Sequence, residues 1–308
     1  LLKKHQSFGT THLIITIVAR NNIMENKLKQ YANNKFSQFG EDGIIERIFE
    51  ILPKNEKYWC VEFGAWDGKH LSNTYELIKN KHWNGILIEG NSKKFQDLKR
   101  TFGNTNNAIL INEFVAFKGN HTLDNIIEKE NIPIDFDLLS IDIDGNDYHV
   151  WESLKKHQPR VVVIEFNPTI PSDIEFVQEK KESLNHGKSL LSLIKLGKTK
   201  GYELITTTTC NGIFVRKDLF DLFEITDNSI NSIWENYDAP RIFQLYDGTL
   251  ALTDEFKLLW HNKPVNKFDL QAVPKSLRYF GDSSSTGFFK KVLRKIYYIM
   301  NPAKNNSH

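Results

Sequence analysis

Short apolar runs alternate along the chain with longer stretches in which apolar residues recur every three or four positions. Runs of the first kind read as strands: Tyr58–Phe63, Gly85–Glu89, Ala108–Val115, Phe136–Ile143, Arg160–Phe166 and Tyr202–Thr207, followed by Gly212–Arg216. Helical patterns fall at Ser72–Lys79, Lys93–Phe102, Thr122–Glu128, Tyr148–Lys156 and Ser189–Lys200, with a polar helix before them near Glu41–Phe49. Parallel neighbours need a crossover between them, so this alternation predicts βα units around a parallel sheet. The last two strands leave no room for a helix and are expected to pair antiparallel at one edge. The expected fold class is α/β, a mostly parallel seven-stranded sheet with an antiparallel edge strand and a C-terminal extension. No internal repeat is visible, and the one biased tract is the turn-like stretch from Gly281 to Gly287.

Three regions follow. Residues 1–30 form an N-terminal extension, 31–225 the main domain and 226–308 a C-terminal extension. The longest early apolar run, Leu13–Ala19, falls far short of the roughly 20 residues that span a bilayer, and no small-residue cleavage site follows it. Met24 opens a segment that reads smoothly into the main domain and is a candidate initiator, in which case residues 1–23 carry no functional meaning. In the last region, Gln244–Leu250 reads as strand, turn and strand, expected to cover the cleft or shape an acceptor pocket. Phe288–Met300 puts apolar groups on one side of a helix and four cations mostly opposite. The expectation is a helix docked on its own chain with the basic face in water; the alternative is contact with an anionic membrane or a protein partner.

Composition narrows the class without naming a function. The 308 residues include 40 basic and 38 acidic side chains, and 40% are hydrophobic, which excludes disorder as the main state. A net charge of +2 supplies no field that would make nucleic acid the default partner. Cys60 and Cys210 lie far apart with neither redox nor zinc spacing, so two thiols in a reducing, cytoplasmic setting are expected, with peripheral attachment to the inner face of a membrane as an extension of that setting.

The first strand runs into Val61-Glu62-Phe63-Gly64-Ala65-Trp66-Asp67-Gly68. A glycine turn between strand and helix lets backbone approach a ligand at the carboxyl edge of a sheet. Glu89 ends the second strand about 20 residues later, where an acid receives ribose hydroxyls in nucleotide-binding sheets. Trp66 stands where a dinucleotide fingerprint needs glycine, and Asp67 would repel a pyrophosphate, so a nicotinamide cofactor is disfavoured. An acidic loop suits a cationic, phosphate-free cofactor such as S-adenosylmethionine.

Asp142 and Asp144 stand two residues apart at the end of the fourth strand, where pleating would aim both the same way, roughly 7 Å apart. Glu165 and Asn167 repeat that relation on the next strand. Carboxylates so gathered repel one another unless a proton, a cation or a ligand compensates. An EF-hand reading fails, because its glycine position holds Asp147 and its twelfth position Ser153. A divalent ion on Asp142, Asp144 or Glu165 stays open but is not favoured, since no histidine ligand is evident there. Asp147 is expected to cap the following helix. His149 is either a general base or a packed core residue.

These motifs resemble class I S-adenosylmethionine-dependent methyltransferases of the FkbM-like branch, associated with O-methylation of sugars and natural products. The resemblance rests on SQFGEDGI at 37–44, VEFGAWDG at 61–68, GILIEG at 85–90, LLSIDIDGND at 138–147 and VVVIEFNP at 161–168, spanning about residues 36–217. It implies a Rossmann-like, doubly wound methyltransferase domain. It also implies that Glu62, Gly64, Asp67 and Gly68 line the methionine portion of the cofactor, that Glu89 binds ribose and that Asp142 closes the pocket. Gln38 and Asp42 are candidate contacts from the preceding segment, although Asp42 reads equally as a helix cap. The chain departs from the family where GxGxG becomes GAWDG and D-x-E-G becomes Asp142-Ile143-Asp144-Gly145, and the second change bears on Asp144 as a catalytic or metal residue. The function implied is methyl transfer to a hydroxyl of a sugar or glycan precursor, with Asp144 or His149 handling the proton and a small-molecule or carbohydrate acceptor as partner. The alternatives are an NAD-dependent sugar-nucleotide oxidoreductase and a non-catalytic methyltransferase-like scaffold.

Overall fold

The computed structural model describes residues 27–234, 242–246, 249–252, 264, 270–271, 273–279 and 287–301. The apolar run Leu13–Ala19, Met24, the turn at Asp247-Gly248 and most of the stretch 281–287 lie outside the described residues. The chain divides into two compact units, 22–236 and 237–308 together with 1–21.

The first unit is the expected α/β layer structure. Its strands are β1 (Trp59–Phe63), β2 (Asn84–Ile88), β3 (Ala108–Ile111), β4 (Leu138–Ile141), β5 (Val161–Glu165), β6 (Tyr202–Thr207) and β7 (Asn211–Arg216). They lie in the order β3-β2-β1-β4-β5-β7-β6. The first five are parallel, and β7 runs antiparallel to both β5 and β6, so a hairpin closes that side of the sheet. Strand order reverses between β1 and β4, the switch point where open α/β sheets bind ligands outside the carboxyl ends of their strands.

Helices α1 (Glu41–Ile51), α2 (Tyr75–Lys79), α3 (Ser92–Phe102), α4 (Leu123–Ile127), α5 (Asp147–Ser153), α6 (Leu190–Thr199) and α7 (Ile230–Ile233) connect and flank the strands. Both faces of the sheet are covered, as parallel sheets require. Val61, Phe63, Leu139, Ile141 and Val162 face one core with Trp151 of α5 and Leu193 of α6. Cys60, Leu87, Leu138 and Val163 face the other with Ile48 of α1, Ile78 of α2 and Leu98 of α3. Each fully buried aliphatic or aromatic side chain is worth about 1.5–3 kcal/mol, so the two layers hold the strand ends rigidly in place. The unit continues past 225 because Ile233 is buried in the first core, Thr207 Oγ1 donates to its carbonyl, and Trp234 packs edge-on against Phe166. Both cysteines are buried thiols.

Besides α5, which ends at Ser153 rather than Lys156, three elements are cut short for a local reason visible in their hydrogen bonds. β3 stops at Ile111 because Asn112 Nδ2 turns to donate to the Glu89 carbonyl at 2.7 Å. α2 begins at Tyr75 rather than Ser72 because residues 72–74 donate to a buried acid in β1. β4 stops at Ile141 because the amides of Ile143 and Gly145 go to the Asp147 carboxylate at 2.8 and 3.0 Å.

In the second unit β8 (Ile242–Gln244) and β9 (Leu250–Leu252) form the expected antiparallel hairpin, and Phe288–Met300 is helical. The expectation that this helix buries its apolar side is overturned. Phe288, Phe289, Ile299 and Met300 are 75–81% exposed, whereas Arg294 on the basic side is partly buried with its guanidinium 4.7 Å from the Tyr279 ring centroid. Cation–π contact at that position holds this guanidinium inward.

Candidate active site at the carboxyl ends of β1, β2, β4 and β5

The glycine turn after β1 is shaped by what it packs against. Gly64 has φ +78°, and a Cβ there would lie 1.9 Å from the carbonyl oxygen of Asp142. Only glycine lets this turn sit against the end of β4. The amides of Gly64 and Ala65 donate to the Ile88 carbonyl, tying the turn to β2 as well. At Gly68, φ +71°, a Cβ would lie 2.5 Å from Leu98 Cδ1 and 2.7 Å from Phe102 Cε2 of α3.

Three expected cofactor residues cluster around this turn. Glu89 is buried, and its two oxygens each accept one backbone N–H, from Trp66 at 2.8 Å and Asn91 at 2.6 Å. Each oxygen keeps a further acceptor site. Glu62, also buried, accepts from Ser72 Oγ, Thr74 Oγ1 and the Asn73 amide at 2.7–3.0 Å. Burial pushes its carboxyl above the ordinary carboxylate range, and these three donors oppose the shift. Asp67 Oδ1 accepts the amides of Lys69 and His70, closing its own turn. A cavity of about 340 Å³ on this side of the turn is lined by Asp67 with Lys35, Phe36, Lys69, His70 and Leu71.

The second cluster is the acid group. Carboxylate oxygens of Asp142, Asp144 and Glu165 lie within 4.8 Å of one another. The grouping is as the sequence suggests, but the cause differs. The two aspartates are not on a pleated strand, since β4 has ended and Asp144 sits in the left-handed region at φ +55°. The turn held by Asp147 brings them together. Asp147 is therefore not the N-cap of α5: it is the helix's first residue, and its carboxylate bonds back to the amides of Ile143 and Gly145. Among the described residues the side chains of Asp142 and Asp144 have no hydrogen-bond partner. Asp142 keeps a solvent-facing edge, yet enclosure by protein, and then the charges of Asp147 and Asp144, push its carboxyl up to about 7. Enclosure and the Asp142 charge push Glu165 further, to about 9, with Lys188 pulling the other way.

Three expected site residues lie elsewhere. His149 is buried, with Nε2 donating to the Gln178 carbonyl at 2.8 Å, Nδ1 without a hydrogen-bond partner 3.8 Å from Glu152 Oε2, and its ring against Phe117 and Tyr148, the surroundings of a packed residue. Asp42 Oδ2 accepts three amides, from Lys35, Phe36 and Ser37, and clamps the loop before α1 as a cap would. The Gln38 side chain is exposed on that loop, whose carbonyl at 38 accepts from Asn34 Nδ2.

The structure adds residues that sequence reasoning missed. Lys188 is buried, ion-paired with Asp147, with Nζ 3.9 Å from Glu165 Oε2. Gln178, also buried, donates to Asn146 Oδ1 and the Leu184 carbonyl and accepts the amides of His186 and Gly187, fastening the segment between β5 and α6 to the Asp144 turn. Glu41 is buried and accepts from Thr208 Oγ1 at 2.5 Å and Asn211 Nδ2 at 2.9 Å. No local pattern marks Lys188 or Gln178, because their partners are distant in the chain. Glu41 did carry a signal, an acid beside Asp42 in the first turn of α1.

A doubly wound sheet with a glycine turn at its switch point and acids on the flanking strand ends defines a Rossmann-like α/β domain with a ligand cleft at its carboxyl edge. Residues 117–204, the stretch carrying Asp142, Asp144, Glu165 and Lys188, match the family model described as the methyltransferase FkbM domain, and over that stretch the chain is FkbM-like. No curated protein matches the sequence. Solved structures with a similar chain path include the CMeT domain of the citrinin polyketide synthase (11% identity, 57% of this chain and 51% of that one, TM-score 0.37). The SeMet-substituted CurJ carbon methyltransferase is 9% identical over 57% and 52%, with a TM-score of 0.39. TrmK of M. capricolum in complex with S-adenosyl-homocysteine is 13% identical over 56% and 65%, with a TM-score of 0.34. The chain spans about half the length of the first two.

Proposed function

We propose that the chain is an S-adenosylmethionine-dependent O-methyltransferase acting on a hydroxyl of a sugar or glycan precursor. The observation that carries this reading is the group of three carboxylates at the ends of β4 and β5, beside the glycine turn and inside the FkbM-matched stretch. The residues present fit the cofactor. Gly64 leaves room only for backbone at the turn, Glu89 keeps acceptor capacity for two ribose hydroxyls, and the acids favour a cationic ligand without phosphate. When bound, S-adenosylmethionine supplies a methyl group on a sulfonium. The chain's own residues would then orient and deprotonate. Glu89 holds the ribose, Asp142 sets a negative wall, and Asp144, exposed and without a hydrogen-bond partner, accepts the proton as the acceptor O–H bond breaks. We favour a form without metal, in which activity on a sugar acceptor survives chelation.

A thermal-shift panel tests the reading, since a ligand selective for the native state raises stability by mass action. S-adenosylmethionine and S-adenosylhomocysteine are expected to raise Tm, whereas NAD and ATP leave it unchanged. Glu89→Gln is expected to weaken S-adenosylmethionine binding by about tenfold in calorimetry. Stabilisation by NAD alone would make the protein an oxidoreductase, and stabilisation by none would favour a scaffold.

A further inference from the structure

The C-terminal helix presents its apolar side outward. Phe288, Phe289, Leu293, Ile296, Ile299 and Met300 are 45–81% exposed. At 100° per residue they fall on one continuous arc that holds no acid, amide or hydroxyl group. Lys290, Lys291, Arg294 and Lys295 share the remainder with Tyr297 and Tyr298, and the helix contains no acidic residue, although the chain as a whole is nearly neutral at +2. Lys290 and Lys295 fall towards the two borders of the apolar arc, from which long stems reach outward while keeping their charge in water. Arg294, stacked at 4.7 Å over Tyr279, fixes which side faces in.

The helix's 13 residues measure about 20 Å, too short for a hydrocarbon core of about 30 Å, and among the described residues no helix is long and apolar enough to cross a membrane. It is suited to lying in the plane of an interface. We propose that this helix docks the protein on an anionic lipid bilayer, its apolar arc in the headgroup and acyl boundary and Lys290 and Lys295 against lipid phosphates. Charge complementarity selects this occupant: Lys290 and Lys295 beside the arc, with no acid in the helix, match a negatively charged surface, and an arc with no hydrogen-bonding group matches acyl chains rather than the mixed polar rim of a protein groove. The inference stands apart from the reaction at the sheet edge, since it uses no residue of that site.

The test is co-sedimentation of the full chain with vesicles of phosphatidylcholine alone and of phosphatidylcholine with 30% phosphatidylglycerol (about 0.05 M and 0.5 M salt). Binding is expected only to the anionic vesicles, and raising the salt should weaken it. Leu293→Glu with Ile296→Glu should abolish it, and Lys290→Gln and Lys295→Gln should each weaken it about fivefold. Phe289→Trp should add an emission component that shifts to the blue with anionic vesicles. All these positions are at least partly exposed, so thermal unfolding of each variant should match the parent. No binding at low salt, equal binding to neutral vesicles, or undiminished binding by the double glutamate variant would overturn the proposal. So would a concentration-dependent dimer that the double variant disperses while vesicles fail to bind, which would assign the face to a second copy.

Discussion

The two halves of the carboxyl edge treat their acids in opposite ways. At the ends of β1 and β2, Glu62 and Glu89 are buried and together accept five hydrogen bonds, four of them from the glycine turn and the segment leading into α2. At the ends of β4 and β5, Asp142, Asp144 and Glu165 crowd within 4.8 Å with one buried cation nearby, the ammonium of Lys188, itself committed to Asp147. The first arrangement spends its charge on shaping backbone. The second leaves Asp142 and Asp144 without hydrogen-bond partners among the described residues, and carboxyls crowded so on a rigid scaffold bind a cation or hold a proton.

The sharpest way to break this contrast is to remove the cation under the acids. Lys188→Met leaves Asp147 buried and unpaired and should cost about 3–5 kcal/mol in urea unfolding. A loss below about 1 kcal/mol would mean that the acid group does not depend on it. Asp144→Asn should lower methyl transfer about a hundredfold or more while leaving unfolding within about 1 kcal/mol of the parent and cofactor affinity nearly unchanged. Equal losses in turnover and stability would instead assign Asp144 to the architecture, like Glu62.

The smallest effect is in pH dependence. Glu165 and Asp142 have folded-state values raised to about 9 and about 7, so the folded chain holds protons that the unfolded chain has released. Their contribution to stability is complete below the ordinary carboxylate range and fades as pH rises through those values. Glu165→Gln should therefore flatten the decline in stability between about pH 5 and pH 9. An unchanged slope would show that the acids are not coupled as their geometry implies.

Much of the site was legible because its residues lie where strands end, and strand ends follow from local patterning. Glu89, the glycine turn, and the acids at 142, 144 and 165 are positions of this kind. The acid group was found for an incomplete reason: pleating would align Asp142 and Asp144, but a turn pinned by Asp147 does so. His149 and Asp42 looked equally chemical in sequence. Their surroundings were decided by the Gln178 carbonyl and the amides of residues 35–37, partners that their own residue types do not announce. The orientation of the C-terminal helix was illegible for a related reason, since the two faces of an amphipathic helix are plain in sequence but which of them meets protein is not.

The sequence by itself determined the succession of strands and helices, because side-chain periodicity is a local property, and with it the glycine turn and the line of acids along one edge. The tertiary structure decided which acids are neutralised. Lys188 reaches Asp147 across 41 positions and Gln178 reaches Asn146 across 32. Hydrogen bonds and ion pairs form through space, and the low dielectric of a packed interior makes such distant partners decide what each carboxylate is free to do.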